Sequence, residues 1–238
     1  MSKIAVVTGT SRGVGYAVAE SLLKQGWIVI GLSRSPCHLD LKYPKFVPLQ
    51  CDITRNIDLI TALGTYCGKN DEEQGTLNGF PVGTKIDLLV NCASIFNMQK
   101  FGLSADFSII DTNVTGTISV THHALPMMNT NSRIIFINSV AGLAELENQA
   151  LYCASKWAIT GFAGVLGKEL RPRKIKVTSI HPGGINTSLW NEGNPYPVGD
   201  VTKALQTSDI VDAINYILSC PDYVEIKTLK LFPDIEWH

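Results

Sequence analysis

The 238-residue chain has almost no excess of charge of either sign, with 20 Lys and Arg against 21 Asp and Glu and a net charge of -1. No whole-molecule field draws it toward nucleic acid or an anionic membrane, so neither partner is expected. It has no run of about 18 apolar residues, so no membrane span is expected. The six cysteines, Cys37, Cys51, Cys67, Cys92, Cys153 and Cys220, form no C-x-x-C pair. A chain of this size does not need a disulfide framework, and a reducing, cytoplasmic setting is the expectation. Lys3 leads directly into the apolar residues 4–8, too short a stretch for a secretory signal. Histidine is equally sparse. His122 and His123 are neighbours that would face different ways on a helix, and His38 beside Cys37 has no further ligands near it. No metal is expected.

What is present is 45% hydrophobic residues, enough for one core. A single domain over 1–238 is expected. Runs rich in β-branched residues recur at 4–8, 27–32, 46–49, 86–90, 133–138, 175–180 and 226–231. Several are apolar at consecutive positions, as in strands covered on both faces. Helical patterns lie between them, clearest in Leu151, Ala154, Ser155, Ala158 and Phe162, which end before Pro172. Strand and helix in alternation predict an α/β, doubly wound Rossmann fold with a seven-stranded, mostly parallel sheet and helices on both faces. Ligands then bind beyond the carboxyl ends of the strands. The stretch 64–85 is polar and rich in Gly and Asn, and reads as a surface excursion whose simplest interpretation is a loop without a role.

After the first strand comes Thr8-Gly9-Thr10-Ser11-Arg12-Gly13-Val14-Gly15, followed by a helical pattern. Glycines here let the backbone turn and approach a pyrophosphate, and the helix N-terminus offers N–H groups to the anion. The spacing is G-x-x-x-G-x-G rather than G-x-G-x-x-G. The second strand ends near Ser33 and Arg34, where an acid would select the ribose diol of NAD. Arg34 with Arg12 instead suits a 2′-phosphate and predicts NADP(H). The plainer reading of Arg34 is a solvated loop charge. Beyond the third strand, Asp52, next to Ile53, suits either the adenine amino group or a helix cap. Asn91, Cys92, Ala93 and Ser94 follow the fourth strand as small residues beside a cofactor path.

The fifth strand ends at Ser139, and the helix starting near Gln149 carries Tyr152 and Lys156 one turn apart on one face. Ionising a phenol at neutral pH costs about 4 kcal/mol. An ammonium ~5 Å away at an effective dielectric of ~20 returns about 3 kcal/mol before desolvation. Lys156 is therefore expected to lower the Tyr152 pKa, making Tyr152 a general acid or base toward a carbonyl or alcohol oxygen held by Ser139. Taken singly, each residue has a duller reading: a helix aromatic, a solvated charge and a strand-end cap.

These motifs, from Thr8-Gly9 through Gly15 to Tyr152-x-x-x-Lys156, resemble the short-chain dehydrogenase/reductase family over nearly the whole chain. The resemblance implies Asn113 as a fourth catalytic member and Lys156 on the nicotinamide ribose. It also implies a carboxamide site in the segment from His181 through Pro182, Gly183 and Gly184 to Thr187, with Ile185 and Thr187 nearest. His181 itself reads as giving that segment its shape. A homodimer or homotetramer is further implied, and Ala158, Gly161, Ala163, Gly164 and Gly167 on the Tyr152 helix would permit close packing with a neighbour or with the sheet. Two departures stand out: Ser94 replaces the family's usual glycine, and its valine-aspartate-glycine-glycine ending is missing. The family branch that handles small carbonyl compounds or hydroxy acids fits better than the acyl-carrier-protein reductases.

The substrate is expected under a loop at about 183–206, against Leu189 and Trp190, with Leu143 on the opposite wall. The only basic residue of that loop is Lys203, well away from its aromatics, which predicts a neutral, partly apolar carbonyl or alcohol substrate. A 3-hydroxy acid dehydrogenase is the alternative within the enzymes. A dinucleotide-sensing regulatory protein without turnover is the alternative outside them.

Overall fold

Why the apolar runs alternate with amphipathic helices is plain in the computed structural model, which describes residues 2–64, 80, 83–98, 100–102, 105–191 and 195–236. The strands are β1 (Ile4–Thr8), β2 (Ile28–Ser33), β3 (Phe46–Gln50), β4 (Ile86–Asn91), β5 (Met128–Ile137), β6 (Lys176–Pro182) and β7 (Thr228–Leu231). They form one seven-stranded sheet in the order β3-β2-β1-β4-β5-β6-β7. Every neighbouring pair is parallel. The helices are α1 (Gly13–Lys24), α2 (Asn56–Leu63), α3 (Ser108–Ile110), α4 (Thr117–Ala124), α5 (Ala150–Glu169) and α6 (Thr207–Ser219), with a π-helical turn at Asp111–Gly116 between α3 and α4.

Side chains alternate across a strand, so consecutive apolar residues feed two cores at once. In β1, Ile4 and Val6 join the cluster packed by α2, α4 and α5, whereas Ala5 and Val7 join the cluster packed by α1 and α6. Helix α6 starts with a reciprocal capping box between Gln206 and Asp209, which fixes where the chain re-enters the second core.

All seven expected strands are present, with shifted ends. β5 begins at Met128 rather than 133, because its first residues continue pairing with β4 across a register shift between Ile86 and Leu88. β7 begins at Thr228, and β6 runs on to Pro182, carrying its end to the cleft described below. Of the excursion expected at 64–85, residues 65–79, 81 and 82 lie outside the described residues, as does Cys67. No helix among the described residues is long and apolar enough to cross a membrane.

The order of strands reverses direction between β1 and β4, and crossovers leave the sheet on opposite faces there. That switch point opens a crevice at the strands' carboxyl ends.

Candidate active site

The crevice is a cleft of about 640 Å³. Its walls begin at the end of β1, where the Thr8 hydroxyl accepts hydrogen bonds from the Cys92 and Ala93 N–H groups at 3.0 and 2.9 Å. This ties β1 to β4. Gly9 then turns with φ +75, and a Cβ there would stand 3.0 Å from the Ala93 Cα, so a larger residue would be both strained and crowded. Arg12 enters α1 in an extended conformation, and no side chain caps the helix. Unpaired N–H groups of the first turn are an anion site in waiting when a glycine loop brings the ligand close. Gly9, Ser11, Arg12, Gly13, Val14 and Gly15 all line the cleft.

At the same end, Ser33, Arg34, Asp52 and Ile53 line the wall beyond β2 and β3. The Ser33 hydroxyl donates to the Ser35 carbonyl at 2.7 Å, which curls the chain so that Arg34 projects. Arg12 and Arg34 are exposed, and neither is in an ion pair among the described residues. Asp52 Oδ1 accepts from the Thr54 N–H at 3.0 Å and from its hydroxyl at 2.8 Å. Burial pushes the Asp52 carboxyl up, but these hydrogen bonds and the Arg34 and Arg55 charges outweigh it, and the net direction is down. The residue before α2 is Arg55, so Asp52 shapes the preceding turn rather than capping the helix. The Thr10 hydroxyl, wholly buried and outside the cleft lining, has no hydrogen-bond partner among the described residues.

At the other end, β5 delivers Ser139. Its hydroxyl accepts from the Ala141 N–H at 3.1 Å and opens the 3-10 turn Val140–Gly142. Behind it, the buried His181 places Nδ1 3.0 Å from the Ser139 carbonyl, consistent with Nδ1–H donation. Burial lowers the His181 pKa, which favours the neutral ring. This is the shape-giving role expected of that residue, exercised on the backbone of Ser139.

Helix α5 brings Tyr152 and Lys156 to the same wall. The Lys156 ammonium lies 5.4 Å from the centroid of the Tyr152 ring and donates to the Ile137 carbonyl at 3.3 Å. The sequence predicts that Lys156 lowers the phenol's pKa, and in the protein alone the direction is opposite. Burial pushes Tyr152 up to about 12, opposed by the Ser139 hydroxyl, and burial pushes Lys156 down to about 8. Desolvation dominates at both groups, and the ammonium donates to the Ile137 carbonyl rather than to the phenol.

Three expected residues stand elsewhere. Asn91 is buried beneath the cleft, with Nδ2 donating to the Thr121 hydroxyl at 3.2 Å. Leu143 does not line the cleft, because the 3-10 turn carries the chain past it and presents Leu146 and Glu147 instead. Asn113 lies in the π-helical turn, one layer behind the wall. Its Oδ1 accepts from the Ile95 N–H at 2.8 Å and the Ser94 hydroxyl at 3.1 Å, while Nδ2 donates to the Ile95 carbonyl at 2.9 Å and the Ser155 hydroxyl at 3.2 Å. Asn113 thus fastens the β4 exit to α5. Wide π turns of this kind often accompany functional sites.

Pro182, Gly183, Ile185, Thr187, Leu189 and Trp190 line the cleft beyond β6. The loop is closed at its base by Asn186 N–H to Leu205 carbonyl and Leu205 N–H to Gly184 carbonyl bonds of 2.7 and 3.0 Å. Trp190 is fastened by Nε1 to the Ile185 carbonyl at 3.0 Å. Aromatic rings then meet edge to face in a row: Tyr152 with Phe96 at 4.8 Å, Phe96 with Trp190 at 5.2 Å, and Trp190 with Tyr196 at 5.1 Å. Phe96, Met98, Leu146, Phe232 and Glu236 line the cleft without having been singled out from sequence. None belongs to a local motif.

The chain is similar across 97% of its length to the farnesol dehydrogenase of Aedes aegypti, at 31% identity over 96% of that protein. It is 29% identical to the serine 3-dehydrogenase of Rhizobium radiobacter, over 98% of this chain and 94% of that one. Among solved structures, the closed form of a serine dehydrogenase complexed with NADP+ superposes with a TM-score of 0.83 at 25% identity, covering 99% of this chain and 96% of that chain. The family model for short chain dehydrogenases matches residues 3–196, taking in the glycine loop, Ser139, Tyr152, Lys156 and the aromatic wall. The chain therefore belongs to the short-chain dehydrogenase family of oxidoreductases.

Proposed function

We propose that the protein transfers hydride between NADP(H) and a neutral, partly apolar alcohol or carbonyl compound. The observation that carries this reading is that Ser139, Tyr152 and Lys156 share one cleft with the Gly9–Gly15 loop and with two exposed arginines. The residues fit a nicotinamide dinucleotide: a cradle at Gly9 that a Cβ would crowd, and a helix start whose N-cap side chain makes no capping hydrogen bond. Arg12 and Arg34 suit a 2′-phosphate, and the relative solved with NADP+ supports that choice.

The dinucleotide, when bound, supplies the hydride donor or acceptor. Tyr152 gives its proton to the carbonyl oxygen, or takes one from the alcohol in the reverse direction. In the protein without dinucleotide its raised pKa keeps the phenol protonated at neutral pH, which suits the carbonyl-reducing direction; to take the alcohol proton in the reverse direction it must first give up its own. Ser139 holds the substrate oxygen, and His181 holds the backbone of Ser139. Lys156 anchors the end of β5 and suits the nicotinamide ribose. Asn113 acts behind them, holding Ser94 and Ile95 against α5.

The basic residues lining the cleft are Arg12, Arg34 and Lys156, while Glu147 and Glu236 stand at the substrate end. Among the described residues, a substrate carboxylate there meets no arginine to offset its desolvation. The serine dehydrogenases among the relatives favour the second reading, a 3-hydroxy acid. Comparing kcat/KM for matched alcohols with and without a carboxylate, with nicotinamide absorbance as the signal, decides between them. A higher value for the neutral alcohol is expected, and a higher value for the acid overturns the assignment.

A homodimer or homotetramer fits the outer face of α5. Ala154, Trp157, Ala158, Gly161, Gly164 and Val165 are exposed there, and the space beside Gly161 and Gly164 is open. Ala163 and Gly167, grouped with them from sequence, instead face inward, Ala163 buried and Gly167 with its Cβ position 3.5 Å from Val177. The five described cysteines are free thiols, which supports a reducing, cytoplasmic setting.

A further inference from the structure

Beyond β7 the chain makes a 3-10 turn, Asp234–Glu236, and its last residue returns to the cleft. Glu236 is only 9% exposed. No lysine, arginine or histidine pairs with it among the described residues. A carboxylate without a cation is costly to bury unless hydrogen bonds replace its hydration. Here the Gly184 N–H donates to Oε1 at 2.9 Å and reaches Oε2 at 3.1 Å, and the Tyr196 hydroxyl donates to Oε1. The carboxylate occupies room that a side chain on Gly184 would fill, since a Cβ there would come within 2.7 Å of Oε1. Burial and the neighbouring carboxylate raise the Tyr196 pKa, so its hydroxyl stays a donor.

The two donors come from separate parts of the loop beyond β6. Gly184 is the second residue beyond β6, between Gly183 and Ile185 on the proposed carboxamide side, while Tyr196 ends the aromatic row that begins at Tyr152. We propose that Glu236 is a positioning and specificity-determining residue: by holding the Gly184 N–H and the Tyr196 hydroxyl on one carboxylate, the C-terminal turn sets the width of the substrate end of the cleft. Tyr196 in turn seats Trp190, and Trp190 seats Phe96 against Tyr152. Substrate size is thereby governed by a residue 52 positions from its backbone partner. This inference rests on the proposed function only for where the substrate lies.

The test uses the full-length protein with Glu236→Ala, Glu236→Gln, Tyr196→Phe and the Glu236→Ala/Tyr196→Phe double variant. Glu236→Ala is expected to raise KM for a bulky alcohol about 10-fold, the scale of a lost hydrogen bond to a charged group. NADPH Kd and kcat should stay within about 3-fold, because the pyrophosphate and 2′-phosphate ends of the dinucleotide are held at the far end of the cleft and the residues that move the proton are untouched. Tyr196→Phe should raise the same KM, Glu236→Gln should recover most of it, and the double variant should be no worse than Glu236→Ala. Independently of turnover, the emission of Trp190, isolated by subtracting the matching Trp190→Phe protein, should shift in Glu236→Ala and return in Glu236→Gln. Unchanged KM and emission in both single variants overturn the proposal. So does an additive double variant, or a loss of NADPH affinity equal to the loss in KM. Should the wild type turn over no alcohol or carbonyl, the proposed function fails, and the Trp190 emission still decides the role of Glu236. If Glu236→Ala does not fold, Tyr196→Phe carries the same test.

Discussion

Arg12 and Arg34 stand exposed at one end of the cleft, on loops that leave β1 and β2, while Lys156 and Glu236 are buried at the other. The first end is made of neighbours in the chain, from Gly9 to Asp52, and its charges keep their water until an anion arrives. The second gathers Phe96, Ser139, Tyr152, Lys156, Trp190, Tyr196 and Glu236 from across the sheet, and there Tyr152, Lys156 and Tyr196 are displaced from their ordinary pKa values. On the proposed function, ligand affinity at the first end rests on exposed charge. At the second, stability is given up to hold polar groups in place.

The contrast is broken most severely by Tyr152→Phe, which keeps the ring against Phe96 and removes the proton. Turnover should fall about 100- to 10,000-fold, the range of general acid catalysis. NADPH Kd should stay within about 2-fold, because the dinucleotide's anionic parts are held at the other end. Single-turnover absorbance and fluorescence titration separate the two, and near wild-type turnover would sink the proposed role.

Lys156→Met sharpens the same contrast from the side of stability. Lys156 falls from its ordinary 10.5 to about 8 because burial disfavours the ammonium. Between those two values the unfolded chain binds a proton that the folded chain does not, so stability rises with pH through that window. Below it, folding carries the full cost of the buried charge, about 3 kcal/mol for the span. The variant lacks this term. It should be more stable than wild type at pH 7 by up to that amount, less the lost bond to the Ile137 carbonyl, and the difference should vanish toward pH 10.5. Urea titrations across pH measure it, and equal stability at pH 7 would show that Lys156 is not strained. Turnover should be lost in the more stable protein.

At the exposed end, Arg34→Asp removes one charge-assisted partner of a 2′-phosphate and adds repulsion. NADPH affinity should fall about 10-fold or more, with NADH affinity equal or improved. Because Arg34 is exposed and outside any ion pair among the described residues, the melting temperature should barely move. An unchanged cofactor preference would make it a surface charge.

This division also explains what was legible in advance. Gly9 to Gly15 and the pair Tyr152 and Lys156 could be placed because each is a local pattern tied to one element's period. Seven strands could be placed because runs buried on both faces are apolar without alternation, although β5 began early through pairing with β4 that no local rule shows. Leu143 was misplaced because one 3-10 turn decides which of 143 and 146 faces the cleft. Phe96, Phe232 and Glu236 carry no local signal. Their role appears only when parallel crossovers bring the ends of β4, β6 and β7 together. The direction of the Tyr152 shift also depended on burial, which a helix spacing does not report.

The smallest expected effect joins the two ends, at Ser94, where the family usually has glycine. The Ser94 hydroxyl gives Asn113 Oδ1 a bond of 3.1 Å, and the Ile95 N–H gives the same oxygen a shorter one of 2.8 Å. Ser94→Gly therefore leaves Asn113 with an acceptor still satisfied and both Nδ2 bonds intact. A net loss of about 0.5–1.5 kcal/mol is the scale for one hydrogen bond between neutral groups. Part of that loss also comes from the freer backbone of glycine in the unfolded chain. Turnover should change by less than about 3-fold, since the remaining bonds hold the β4 exit against α5. Thermal unfolding and kcat measured side by side check this. A much larger loss of kcat without loss of stability would mean that the Ser94 hydroxyl itself meets the cofactor or substrate in the cleft that it lines.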